Sequence, residues 1–551
     1  MKRSGFAAAM MVLGGGVALA GEAKWGAHID LEGRAGTERH LGEADLFLPL
    51  AQDDDTLLFA NVRARLDSHG GGEGNFGLGM RHMLASGWNV GGYAYFDHRI
   101  TARDNAFSQA TLGAEALGPV FDLRANVYLP IGTTHRAVNA FNTATISGGN
   151  VIFRGGEEVA LKGFDAEAGL RVPVFEDDSG AALRIFGGAY HFFSDNALVP
   201  DITGGRARVE LTFDDIPHLW QGSRLSLGAE YQYDKPRGGQ GFVTARLRIP
   251  LQGSARPSSV LTAQERRMAD PVVRDIDVVT QSGLFGAPEI ARAANGGKIS
   301  LLDGASVTTT AGLNDALVDA GKGSTVIMSG IFATDSEIQI QSGQTMMGTG
   351  ALTVRSASGR TAVLASGPGA TINANVPVGL TGAINMADDS TLRGMIVNQA
   401  HLVGGGGGGF NGSRGIVFSG RNNVSLIDNV ITVTATGGLA YGVEIDASHD
   451  VMVRGNSISA TGSSGAQGVA FVIGNSSATV ADNTFHAASA GPFVSYAIRA
   501  IADDAALTLR DSTGNRSTAG LCTQARSGSG SFVGGIYYTD WNLTPRICPH
   551  L

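Results

Sequence analysis

The chain has 551 residues, of which 80 are glycine, 16 proline and two cysteine; 17% are charged and the formal net charge is −9. That length exceeds what a single core fills and calls for two or more domains, while mild acidity without a basic stripe excludes nucleic acid as a partner. Glycine at about twice its usual share, with few charges, suits strands and tight turns in a barrel or a stacked β-repeat.

Residues 1–20 read as a secretory signal peptide. Lys2 and Arg3 precede a short apolar run from Phe6 to Leu19, and Ala18-Leu19-Ala20 forms an A-x-A cleavage site before Gly21. No other run reaches the length of a spanning helix, so any membrane passage falls to a β-barrel. Residues 21–43 are polar and are assigned to a periplasmic N-terminal segment. Trp25 there suits an interface anchor or an ordinary core aromatic equally.

From residue 44 to 252 the pattern has period two. In 121–129, Phe121, Leu123, Ala125, Val127 and Leu129 share one face, and Asp122, Arg124, Asn126 and Tyr128 share the other. The same alternation sets Asn61, Arg63, Arg65 and Asp67 against Leu58, Ala60, Val62, Ala64 and Leu66. It recurs with Arg206, Arg208 and Glu210, and with Arg224, Ser226, Glu230 and Gln232. A water-filled lumen accepts such charges while the other face meets lipid; a soluble antiparallel sheet with one wet face gives the same period. Polar stretches at 133–149 and 195–204 are read as surface loops, and Trp88 and Trp220 as candidates for aromatic girdles.

Several word-like runs go beyond periodicity: Leu46-Phe47-Leu48-Pro49-Leu50, Gly91-Gly92-Tyr93-Ala94-Tyr95-Phe96-Asp97, Leu112-Gly113-Ala114-Glu115 and Leu227-Gly228-Ala229-Glu230-Tyr231-Gln232-Tyr233. In this order they resemble the barrel domain of inverse autotransporters, the intimin and invasin family. The resemblance covers roughly residues 40–280. It implies a twelve-stranded outer-membrane barrel in contact with lipid, inserted by the barrel assembly machinery, which exports the segment C-terminal to it. It also implies that residues 253–297, including Gln264-Glu265-Arg266-Arg267 and Arg274-Asp275, form a linker threading the lumen. Without the family this stretch reads only as a solvated amphipathic linker.

Beyond the linker, residues 298–520 read as a right-handed parallel β-helix. A short helical pattern around Leu313–Ala320 ends at Gly321 and resembles the entry cap of such folds. Asn429, Asn456 and Asn483 recur every 27 residues, each after a Gly-Ile or Gly-Val start at Gly415, Gly442 and Gly468. Repeated asparagines suit a ladder in the turns that bonds the adjacent coil. Residues 521–551 are assigned to a C-terminal cap, with Cys522 and Cys548 placed to form one disulfide in an oxidising compartment.

The chain carries no recognisable catalytic set. Asp388-Asp389 and Asp503-Asp504 lack the downstream His-Gly of β-helix hydrolases and are read as turn residues. G-x-S-x-G, His-Glu-x-x-His and Cys-x-x-Cys are absent, so no metal or cofactor is expected. The run 404–409 is all glycine without the Lys-Ser/Thr of a phosphate loop, and reads as an excursion between coils. The whole is therefore expected to be all-β, an inverse autotransporter displaying its own β-helix passenger. Relatives commonly adhere, so a ligand on a host or neighbouring cell is expected, with glycans among the candidates. The alternatives are a displayed polysaccharide lyase or hydrolase, and a secreted soluble two-domain β protein. One departure stands out: intimin and invasin carry immunoglobulin-like and lectin-like passengers, whereas this one reads as a solenoid.

Overall fold

The computed structural model describes residues 24–176, 179–251, 261–377, 382–402, 412–471, 475–503, 506–527, 529–540 and 544–549. The signal peptide, the glycine run 404–409, Asp504 and Trp541 fall outside them. The chain divides into two units. Residues 24–141 and 156–286 belong to the first, and residues 142–155 and 287 onward to the second.

The first unit is a closed barrel of twelve antiparallel strands. They are β1 (His28–Gly36), β2 (Leu41–Gln52), β3 (Thr56–Asp67), β4 (Gly72–Met83), β5 (Asn89–Ile100), β6 (Ala106–Leu117), β7 (Phe121–Ile131), β8 (Lys162–Val172), β9 (Ala181–Phe193), β10 (Ile202–Asp214), β11 (Arg224–Asp234) and β12 (Gly238–Pro250). Each pairs with its sequence neighbour, and β1 closes the ring on β12 with Ile29 opposite Ile249. Period-two sequence makes this arrangement hold together, because one face of every strand can bury polar groups while the other stays apolar. Phe121, Leu123 and Val127 point outward at 56%, 54% and 45% exposure, whereas Asp122, Asn126 and Tyr128 are buried inside. Pro49, which has no N–H to give a ladder, sits where the β2–β3 register slips between Pro49 and Ala51.

Two expectations need correction. Residues 21–43 are not a segment outside the barrel: β1 spans His28–Gly36, and β2 begins at Leu41. The inward residues His28, Asp30 and Glu32 gave the stretch its polar look, and their outward partners Ile29 and Leu31 are too few to signal a strand by themselves. Nor is the lumen simply filled with water. Its polar wall is met by protein, as described below.

The second unit is rich in parallel strands stacked as coils. Each coil contributes three short strands, for example Gly412–Ser419, Ser425–Ile427 and Val430–Thr436. They pair in parallel with Leu439–Asp446, Val451–Arg454 and Ser457–Gly462 of the next coil. The Gly-Ile and Gly-Val starts fall in register, Ile416 beside Val443 and Val443 beside Val469. Inward Ile431, Ile458 and Phe485 stack in one column of a continuous apolar core. The helix Thr310–Ala320, capped by the Thr309 side chain, buries Leu313, Leu317 and Ala320 against the first coils. Gly321 stops it at φ 88°, a conformation open to glycine.

One turn of each coil carries the asparagine column. Asn429 Nδ2 donates to Asn456 Oδ1 at 2.9 Å, Asn456 to Asn483 at 3.0 Å, and Asn483 to Asn515 at 3.1 Å. Each Nδ2 also reaches a backbone carbonyl of the preceding coil: Leu392, Leu426, Val453 and Val480 in turn. Each Oδ1 accepts a backbone N–H as well, from Met395, Asn429, Asn456 and Asn483. An amide offers both donor and acceptor, so identical residues propagate the ladder without orphaning either atom. The position before each asparagine is left-handed and alternates acid with glycine: Asp428, Gly455, Asp482, Gly514. A side chain at Gly455 or Gly514 would run into the carboxylate of the coil before, at Asp428 or Asp482.

Candidate functional site

The barrel wall and the linker together form the site. Turns at alternate ends of the barrel define two rims. One carries 53–55, 84–88 and 215–223, with Trp88 and Trp220; the other carries 68–71, 101–105 and the long 132–161 connection. After β12 the chain re-enters at the first rim as the short helix Ala263–Arg267, closed by a Thr262–Glu265 capping box. Gln264 Nε2 donates there to the Leu84 and Trp88 carbonyls. Trp25 settles as a core aromatic: its indole N–H donates to the Glu265 carbonyl at 2.7 Å, and its ring packs with Phe47, Phe59, Tyr93, Tyr95, Met268 and Val272. Lys24 Nζ adds an ion pair to Glu265 at 2.6 Å.

From Met268 to Val279 the chain passes through the lumen, held by wall side chains at nearly every step. Arg81 Nη1 donates to the carbonyls of Met268 and Asp270 at 2.8 and 2.7 Å. Arg63 reaches the Val272 carbonyl at 3.2 Å, and Tyr93 and Asn126 share that of Val273. The Tyr128 hydroxyl accepts the Asp275 N–H at 2.6 Å, and Glu73 accepts that of Val278 at 2.8 Å. An extended segment has no backbone partners of its own, so a wall that lacked these groups would leave its polar atoms unpaired.

Charge pairing adds specificity. Arg267 meets Asp122 through two parallel contacts of 2.7 Å, and Asp270 meets Arg224 at 2.6 Å. Arg274 pairs with Asp97 at 2.8 Å and lies over the Tyr95 ring. Asp277 sits among Arg39, Arg65 and Arg99. Wall residues also pair with one another, as in Arg248–Asp30 and Arg81–Glu115. The space left over is about 50 Å³ beside Val272–Ile276, about 140 Å³ beside Asp275–Thr280 and about 160 Å³ beside Gln264–Asp270, separate water-sized cavities along the linker. At the second rim Thr280–Gly283 leaves the lumen as a strand, pairing with Glu157–Ala160 of the long connection.

The residues considered for chemistry in the second unit have other uses. Asp388 accepts the Asn422 N–H at 2.8 Å, and Asp389 accepts from the Asn423 amide at 2.9 Å, both within stacked turns. Asp446 faces Ser419 of the coil before, and burial raises its carboxyl above the ordinary range. Asp450 pairs with Arg510 at 3.1 Å. Among the described residues, no three His, Cys, Asp or Glu side chains gather as a metal set. Cys522 and Cys548 are buried with Cα atoms 5.1 Å apart, a separation that a disulfide spans.

Residues 16–219 match the family described as "Inverse autotransporter, beta-domain". Among solved structures, the chain is similar to a protein described under in-meso crystallisation of membrane proteins, at 16% identity and TM-score 0.35, over 47% of this chain and all of that one. It is also similar to the KdgM porin in complex with disordered oligogalacturonate, at 8% identity and TM-score 0.26, over 41% and 99% of the two chains. The β domain of the Bordetella autotransporter BrkA is similar at 14% identity and TM-score 0.22, over 41% and 98%. No curated protein matches the chain. The matched family and the closed twelve-stranded barrel place the chain in the outer membrane.

Proposed function

We propose that the barrel is the export pore of an inverse autotransporter, and that the second unit is its passenger, a right-handed β-helix displayed at the cell surface for adhesion. The observation that carries this reading is the linker itself. It enters the lumen directly after β12, crosses it on wall contacts, and emerges at the rim with the longest connection, as a barrel would look once its own C-terminal segment had passed through. A right-handed coil is what parallel crossovers nearly always adopt. An adhesive role suits stacked coils, which offer a long rigid face without converging catalytic groups. The partners would be outer-membrane lipid, the barrel assembly machinery, and a ligand on a host or neighbouring cell.

Adherence decides the matter of activity. Cells carrying the full chain should bind host cells or immobilised glycans more than cells carrying a chain without residues 298–520, and should release no sugar from acidic or neutral polysaccharides. Polysaccharide turnover abolished by Asp446→Asn or Asp450→Asn would replace adhesion with the enzyme reading.

A further inference from the structure

The second unit contains a segment from far outside its own stretch of chain. Residues 142–155, encoded between β7 and β8, belong to it. There Thr143–Ser147 and Asn150–Arg154 form an antiparallel hairpin. Its second strand takes Pro288–Ile290 as a third, with Ile152 opposite Ile290, and the Val151 carbonyl accepts the Ala291 N–H at 2.8 Å. Phe153, Val151 and Ala144 are buried with Ile327, Met347, Val354, Ala362 and Leu364. In the strand Thr325–Thr334, Val326 and Met328 face the solenoid core while Ile327 faces this cluster. Asn142 and Arg360 tie the hairpin further. The Asn142 amide donates to the Thr361 carbonyl at 2.8 Å and accepts from Arg360 at 2.6 Å.

We infer that the hairpin Thr143–Arg154 is a built-in folding template for the solenoid. The inference rests on the export reading above. Parallel coils are slow to start, because each pairing closes a long loop before any contact repays it. A hairpin made with the barrel removes that obstacle. Pro288–Ile290 is the first strand of the second unit after the chain leaves the lumen, and it meets an edge already formed. Antiparallel pairing there needs no crossover. Phe153 and Val151 then offer an apolar surface on which Ile327 and Met347 of the first coils settle, and each later coil has its predecessor as a platform. Folding would therefore run from residue 288 toward the C-terminus, in the order in which the linker delivers the chain.

A pulse–chase on cells making the full chain tests this, scoring three things: heat-modifiability of the barrel, exposure of a tag after Leu551, and the rate at which the solenoid becomes protease-resistant. Phe153→Ala should slow the gain of resistance about tenfold while leaving barrel and tag exposure intact, as expected for a residue used early in folding. Ile146→Ala, exposed on the same hairpin, should match the parent. Val480→Ala, buried in a late coil, should hasten loss of resistance without slowing its gain. If Phe153→Ala also disturbs the barrel, Ile327→Ala leaves the barrel sequence untouched and should show the same delay. Resistance gained at the parental rate by Phe153→Ala, or by Ile327→Ala when that variant is needed, would overturn the template. A tag hidden in the parent would sink the export reading instead; the rates, read in permeabilised cells, would still judge the hairpin.

Discussion

Arg267 of the linker and Asp122 of β7 meet side by side, Nη1 to Oδ1 and Nη2 to Oδ2, each at 2.7 Å. The pair is shielded from solvent, and Arg267 also donates to the Gly118 carbonyl at 2.6 Å. Two-pronged contact fixes both position and orientation, which a single charge does not. It anchors the start of the linker to the wall.

Removing one partner leaves the other with a single counter-charge, Asp122 with Arg184 at 3.3 Å or Arg267 with Asp270 at 3.1 Å, so the cost stays below the about 3–5 kcal/mol of a buried charge left wholly unpaired. Asp122→Asn or Arg267→Ala should therefore loosen the linker and raise single-channel conductance in planar bilayers. Conductance unchanged in the single variants would mean that the pair does not hold the linker.

The outward and inward faces of β7 predict different failures. Val127→Arg puts a charge on the lipid face, at a cost of about 2–4 kcal/mol near mid-bilayer, and should reduce the folded, heat-modifiable barrel. Asn126→Ala removes bonds to Asp165 and to the Val273 carbonyl and should spare barrel assembly while loosening the linker. Equal loss of folded barrel in both variants on denaturing gels would contradict the register.

In the ladder, Asn456→Ala would orphan the Leu426 carbonyl and the Asn429 N–H, both buried. At about 1–3 kcal/mol for each unsatisfied group, the loss should reach several kcal/mol. Asn398→Ala, on the exposed face, should cost little. Urea midpoints of the solenoid transition in detergent-solubilised chain give the comparison, and equal midpoints would deny the ladder its role.

For Cys522 and Cys548 the proposal is a disulfide across their 26-residue separation. Such a loop is worth about 3 kcal/mol in the chain-entropy picture. Peptide mapping without reductant should recover the linked pair from surface-derived protein, and reductant should lower the melting temperature of the solenoid. Free thiols at both positions would remove the bond from the account.

What could be read along the chain, and what could not, follows from the range of the signal. The alternation in 121–129 is local, and so it identifies both faces of β7. The asparagines at 429, 456 and 483 repeat at one spacing and announce the ladder, but Asn515 lies 32 residues past Asn483 and escapes that period. Strand β1 was hidden because its polar face outweighs two outward apolar residues. Contacts such as Phe153 with Ile327, or Arg267 with Asp122, join positions more than a hundred residues apart. Neither residue carries a local mark of its partner. The lumen-facing charges were legible as inward, yet several of their partners lie on the linker, which periodicity alone leaves as a solvated segment.

The central claim is that the chain after the lumen lies outside the cell. A site-specific protease sequence inserted in the turn at Gly296 tests it most directly, with the protease added to intact cells. The account predicts that denaturing gels of the washed cells then show two fragments meeting at the cut, with residues 297–551 still cell-bound before denaturation because the hairpin Thr143–Arg154 holds them. Cleavage only after the outer membrane is broken would contradict it.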